Sequence, residues 1–349
     1  FLVIGIEKIN IFHYPLKDID MVRQNCKRKH NPWLEQLGDH ASLVLHRNAL
    51  NNDTIAFVDA MKHNSTLESL SFFSIISDGI SHWKEEVSSA MAAVLSVNST
   101  LTRLDLSGQL GVKGVVQISK SLKVNSSLKH LDLSYNEIYT EGTMAIADAL
   151  KFNSTLTYLS LSNSYIGTEG AKAIADGLKI NSSLTSLNLY RALNPLYDSV
   201  GVVEIADALK INSSLKFLDL GANAMLTGGA IAISDALKVN SSLKCLKLFS
   251  RCIQTEGSLA IADALKVNTT LTSLSIPGGI KTEGGMVIAD ALKINSSLTS
   301  LDLSSNFIQQ EGARRIADAL KINSSLKSLD LFANHFETEG AMAIADALK

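Results

Sequence analysis

The chemistry open to this chain is bounded first by its nucleophiles, bases and metal ligands. Cys245 and Lys247 sit two residues apart, and a thiol beside an amine is the start of an activated nucleophile. The pair has no helix N-terminus and no histidine beside it, so thiol catalysis lacks its base. The eight histidines build no Ser/His/Asp constellation on one face, and no G-x-x-x-x-G-K-S loop is present to cradle phosphate. The run Cys26, Lys27, Arg28, Lys29, His30 offers one sulfur and one imidazole, too few to hold zinc, and reads as a solvated helix end. No catalytic group, metal or cofactor is expected. The side chains with most to offer a partner are instead aromatic and cationic: His130, Tyr135, Tyr158, Tyr190, Arg191, Phe217, Lys247, Phe249 and Arg251.

These residues are far apart in sequence, so a repeat must bring them together. The stretch from Leu128 to Asn153, LKHLDLSYNEIYTEGTMAIADALKFN, recurs with leading leucines at Leu101, Leu128, Leu156, Leu184, Leu215, Leu243, Leu271, Leu298 and Leu326, mostly at steps of 28 residues. A fixed period in that range marks a solenoid. Within one unit Leu128, Leu131 and Leu133 alternate with Asp132 and Ser134, the pattern of a short strand with one polar face. Gly142 then opens a second period, with Thr143, Ile146, Ala147 and Leu150 forming one apolar helical stripe. One strand and one helix cannot bury two such stripes alone, whereas stacked copies share a continuous core. Strands about 4.8 Å apart on the inside and helices about 10 Å apart on the outside force curvature. The expected fold is an α/β solenoid: a right-handed horseshoe of roughly twelve strands, with a parallel β-sheet on the concave face and helices on the convex face.

The pattern L-x-x-L-x-L-x-x-N from Leu128 to Asn136, followed by E-G-T-M-A-I-A-D-A-L-K, resembles the ribonuclease-inhibitor class of leucine-rich repeat. It is most similar to the repeat region of NOD-like receptors, and the resemblance covers most of the chain. It implies a non-enzymatic protein-binding module, the sensor or scaffold part of a larger protein. The same fold serves other functions. A GTPase-activating protein of the Ran-activator type would use a loop arginine, for which Arg47 is the early candidate, although no long acidic tail is present. A secreted microbial effector that binds host proteins is the other alternative.

Residues 1–39 read as a degenerate first repeat or N-terminal flank, with Ile6, Ile9 and Ile11 in strand spacing, and residues 40–349 as an array of about eleven units. A longer loop from Ile75 to Glu86, holding Trp83, is expected either to reach a partner or to cover the edge of the third unit, and a lone Trp that packs down favours covering. An insertion from Arg191 to Gly201 belongs to the rim where strands end. No polar capping repeat follows the last helix, and Phe1 starts inside an apolar run. The expectation is a segment of a longer protein, or self-association through open solenoid ends.

Several residues repeat for structural reasons. Asn136, Asn223, Asn306 and Asn334, with Asn48 earlier, share a position beyond the strand where an amide satisfies buried backbone groups. Asn64, Asn98, Asn125, Asn153, Asn181, Asn212, Asn240, Asn268, Asn295 and Asn323 each match the N-glycosylation pattern. Their common register points to a helix end, where Asn tolerates the left-handed conformation. Pairs such as Asp148 with Lys151 and Asp318 with Lys321 place opposite charges on the exposed helix face.

Against this uniform background, departures mark the candidate site. The inward-facing positions are the third, fifth, seventh and eighth of each unit. Near the C-terminus they are mostly small or acidic, as in Ser300, Asp302, Ser304 and Ser305, whereas the middle units hold the aromatic and cationic set named above. Ser164, Ala192 and Arg251 also replace the turn asparagine there. Tyr158, Phe217 and Cys245 are expected in one row, with Tyr190 and Phe249 in a second row two residues further along. Tyr, Phe and Arg are the types that anchor protein interfaces, so the expected partner is a protein on the concave face. Asp105 beside Asp132, and Asp302 beside Asp330, add acidic rungs suited to a basic surface.

Composition agrees with that choice. Among 349 residues, Lys+Arg number 32 against 34 Asp+Glu, a formal net charge of -2, so a nucleic-acid partner is not expected. No apolar run reaches the ~20 residues that span a bilayer, and a membrane partner is not expected either. Three cysteines make no disulfide framework and fit a reducing, cytoplasmic compartment.

Overall fold

The computed structural model describes residues 42–46, 54–73, 85–108, 110–193, 199–223, 225–249 and 252–349. The first predicted unit, Cys26 to His30, Arg47, Trp83 and Arg251 lie outside the described residues. Strands and helices alternate along the rest of the chain, from β1 (Ser42–His46) and α1 (Thr54–His63) to β11 (Ser328–Asp330) and α11 (Glu337–Ala347). The eleven strands form one parallel sheet in sequence order, and each helix packs on the helix of the next unit. The expected parallel-sheet solenoid is therefore present, with eleven strands among the described residues and the expected first unit lying outside them.

The unit is short because its sequence lets only one rung be regular. In β4 (His130–Asp132) the central Leu131 faces the core while His130 and Asp132 stay half-buried on the sheet's open face. Leu131 pairs in register with Leu104 on one side and Leu159 on the other. Leucines, isoleucines and alanines of all units merge into one buried cluster from Phe57 to Ala319. Each unit alone would leave half of this surface wet.

The helix begins earlier than its glycine. Helix α4 runs over Tyr139–Leu150, so Gly142 lies inside its first turn rather than at its start. Gly142 is kept small by packing: a Cβ there would stand 2.8 Å from Ile138 Cγ2 and 3.4 Å from Val115 Cγ1 of the preceding unit. The stripe Thr143, Ile146, Ala147 and Leu150 is buried as its spacing predicts.

The asparagines before each strand hold the stack together in a way that differs from expectation. Asn181, Asn240 and Asn268 have φ between -69 and -75° and ψ between 123 and 128°, which is extended and not left-handed backbone. The extended conformation aims the side chain into the preceding units. Asn181 Nδ2 donates to the carbonyls of Leu150 (2.8 Å) and Asn153 (2.9 Å), while its Oδ1 accepts from the N–H groups of Ser183 (3.0 Å) and Leu184 (2.8 Å). The same bonds recur from Asn98 to Asn323. The sequons from Asn98 to Asn323 thus form an amide ladder, buried as far as Asn295, with the amide nitrogen already committed.

Two further details revise the sequence reading. Asp148 pairs with Lys123 of the preceding unit rather than with Lys151, although Asp176–Lys179, Asp207–Lys210 and Asp318–Lys321 pair within their own helices. In addition, nine units carry an exposed apolar residue at or just past the helix end, directly before the ladder asparagine: Val97, Val124, Phe152, Ile180, Ile211, Val239, Val267, Ile294 and Ile322, each 59 to 68% exposed; His63 holds that position in the first described unit.

Candidate functional site

The sheet register fixes which departures meet. The third positions form one row, Arg103, His130, Tyr158, Ser186, Phe217, Cys245 and Ser273. Tyr158, Phe217 and Cys245 therefore share a row, with Ser186 between the two rings. The row two residues further holds Asp105, Asp132, Ser160, Asn188, Asp219 and Lys247. Tyr190 and Phe249 are not in it. They lie four residues beyond Ser186 and Cys245, past the strands, where the chain turns toward the helix. Period-two counting runs out there because the regular strand is only three residues long.

Within the first row His130 stacks on Tyr158, with ring centroids 3.8 Å apart and planes 3° from parallel. Burial, and then the charge of Arg103, lowers the His130 pKa from 6.5 to about 4 against the opposing pull of Asp105, so the imidazole is neutral at pH 7. Its Nε2 is buried without a hydrogen-bond partner. Burial, followed by the Asp132 charge, raises Tyr158, so its phenol stays protonated. Farther along, the Lys247 ammonium lies 5.4 Å from the Phe217 ring centroid and 4.0 Å from Asp219. Lys247 is thus held in place by the neighbouring unit.

The acidic rungs have a structural task that residue type alone hides. Asp105, Asp132, Asp219, Asp302 and Asp330 each accept from the N–H two residues on, as does Asn188, fixing the strand-to-turn corner. Burial raises the pKa of Asp132 and of Asp219 despite those bonds. At Asp302 burial also opposes the charge, but hydrogen bonds from Ser275 and Ser304 win and lower its pKa.

The turns carry the remaining candidates. Tyr135, Arg191 and their counterparts Asn163, Ala222, Ser305 and Ala333 all have φ between 50 and 58°, the left-handed region that costs a non-glycine residue. Tyr135 is 67% exposed and Arg191 is exposed, while Phe249 is half-buried. The Tyr190 ring lies over Gly221 of the next unit: a Cβ on Gly221 would stand 3.0 Å from its Cδ2. Two tyrosines that the strand pattern missed join this rim. Tyr139 and Tyr165 are exposed and stack with centroids 6.2 Å apart. The turn asparagine lost at Ser164 is partly replaced, since its hydroxyl donates to the Leu133 carbonyl at 3.2 Å. Exposed aromatics are not confined to the middle units, because Phe307 stacks on His335 at 5.1 Å and Phe332 is exposed.

Cys245 is half-buried and Cys252 exposed. No group of three or more metal-ligating side chains is gathered among the described residues.

An open parallel sheet built from identical strand–helix units, each closed by an amide ladder, is the architecture of a leucine-rich repeat solenoid. A family model described as a leucine rich repeat matches residues 124–147, 152–175, 295–317 and 323–345. Among solved structures, "Leiomodin-1 Actin-Binding Site 2 (ABS2)" is similar at 22% identity and a TM-score of 0.37, over 45% of this chain and 88% of that one. "Crystal structure of TLR13-ssRNA13 complex" is similar at 17% identity and a TM-score of 0.48, over 86% of this chain and 36% of that one. No curated protein matches the chain.

Proposed function

We propose that this chain is a non-enzymatic protein-binding module whose contact surface joins the concave row His130, Tyr158 and Phe217 to the tyrosine rim above it. The carrying observation is the gathering of tyrosine. Of the seven tyrosines in the sequence, Tyr135, Tyr139, Tyr158, Tyr165 and Tyr190 fall within three consecutive units, and four of these are exposed. Among them stand Asn163, Ser186, Asn188 and Arg191. Rigid tyrosines among adaptable serines and asparagines are the composition of protein-recognition surfaces, because a tyrosine offers a large amphipathic contact at low entropic cost. The four exposed tyrosines lie outside the shared core and leave their rings open to a partner.

The partner surface is basic or neutral. Asp105, Asp132 and Asp219 line the floor, and burial already disfavours the charged forms of the last two, so a cationic side chain arriving there would be welcomed. The wider reading, a sensor or scaffold segment of a cytosolic protein of the NOD-like receptor type, rests on the resemblance of the repeat sequence. The test is differential capture. The intact chain and a Tyr135→Ser/Tyr139→Ser/Tyr165→Ser variant, matched by circular dichroism, are used as bait in the same extract. Proteins retained by the first and released by the second support the rim; identical retention refutes it.

A further inference from the structure

The side of the solenoid away from the tyrosine rim, where helices end and strands begin, carries the row of exposed apolar residues that runs from Val97 to Ile322. One exposed valine or isoleucine needs no explanation, but nine at the same register form a continuous ridge. Core packing does not account for it. The side chains project into solvent, and the ladder asparagine that follows each already closes the unit. Other exposed positions exchange freely between units, as Met144, Lys172 and Arg314 do at one helix position, whereas the ridge position is apolar in nine of its ten described units, His63 of the first being the exception.

Charge says what covers the ridge. From the aspartate position of each helix to the residue after the next leading leucine, the eight units between Lys120 and Lys327 carry thirteen lysines against seven aspartates. The first turns of the same helices, on the opposite side, carry glutamates instead, such as Glu141, Glu169, Glu256 and Glu311. The ridge is therefore apolar with a cationic border. Two copies meeting through it would oppose like charges, which disfavours self-association there. Its length also matters: eight helix spacings of roughly 10 Å make a row of about 80 Å, well beyond the roughly 30 Å of a small domain. A broad anionic surface fits both properties.

We propose that this edge docks on an anionic lipid surface, with the valine and isoleucine side chains entering the headgroup region and the lysines meeting lipid phosphate and carboxylate. This is surface docking and not spanning, since among the described residues no helix is long and apolar enough to cross a membrane. Apolar run length in the sequence speaks only to spanning, whereas the ridge is one residue per unit and becomes visible once exposure is known. Docking by this edge leaves the concave face and tyrosine rim open, so the proposal does not depend on the protein-binding reading.

The test is flotation with vesicles of phosphatidylcholine alone and with a third phosphatidylserine. The expected result is binding at least tenfold stronger to the serine-containing vesicles, weakened by raised salt. An Ile180→Ser/Ile211→Ser/Val239→Ser variant with an unchanged circular dichroism spectrum should lose at least tenfold. A Lys129→Glu/Lys216→Glu/Lys244→Glu variant, which leaves the ridge intact, should lose as much and keeps the test decisive if the first fails to fold. No preference for the anionic vesicles overturns the proposal. So does binding unaffected by the lysine changes, or a dimer in solution that the serine variant dissolves, which would assign the ridge to a second copy.

Discussion

Asn181 shows how much one side chain carries in a solenoid. It satisfies two carbonyls of the preceding unit and two N–H groups of its own turn, all in buried surroundings. Asn181→Ala leaves four backbone groups to find other partners, and a loss of about 3 kcal/mol is expected, read as a lowered urea midpoint. A change near zero would mean that water replaces the amide. His130 gives a pH signature. Its folded pKa of about 4 lies below its value of 6.5 in an unfolded chain, so the unfolded state binds more protons between those limits. The stability it contributes is complete above pH 6.5 and is lost as pH falls toward 4. His130→Phe, which keeps a ring against Tyr158, should flatten that part of the stability profile, and an imidazole titrating near 6.5 by NMR would contradict the assignment.

Elements are where sequence and structure can be compared most usefully. The strand and helix of each unit were legible because Leu128, Leu131 and Leu133 keep one period and Ile146, Ala147 and Leu150 another, and burial follows those periods directly. The turns were not legible, because no period governs them. Period-two counting places Tyr190 and Phe249 in a strand row they do not occupy, and for the same reason it gives no signal for Tyr139 and Tyr165. The sequons misled through residue type: asparagine suits a left-handed helix end, but the ladder needs an extended asparagine that reaches back to the previous unit. The repeated Glu-Gly pair is a packing device at the helix level. A Cβ on Gly284 in helix α9 (Lys281–Leu292) would stand 2.9 Å from Ile280 Cβ and 3.0 Å from Ser258 Cβ, positions that no side-chain rotation can clear. Gly284→Ala gains helix propensity but forces the two helices apart, for an expected net loss of about 1–2 kcal/mol by chemical denaturation. A more stable variant would show that the helix spacing relaxes freely.

At the scale of the whole molecule, near-identical units build a rigid frame and a few departures give one part of it an identity. The frame explains why truncating a surface tyrosine should leave folding intact: Tyr135, Tyr139 and Tyr165 are exposed and contribute little to the shared core. His130 stacks on Tyr158, and Lys247 lies beside Phe217 and Asp219, contacts within the chain that favour one placement of each side chain and so lower the entropic cost of binding. Calorimetric titration of a captured partner tests this most directly, comparing Tyr190→Ala with Ser300→Ala in otherwise identical chains. The proposed surface predicts a loss of about 2 kcal/mol or more for Tyr190→Ala, with little change for Ser300→Ala. Equal losses at the two positions, or a loss confined to Ser300→Ala, would place the interface elsewhere on the solenoid.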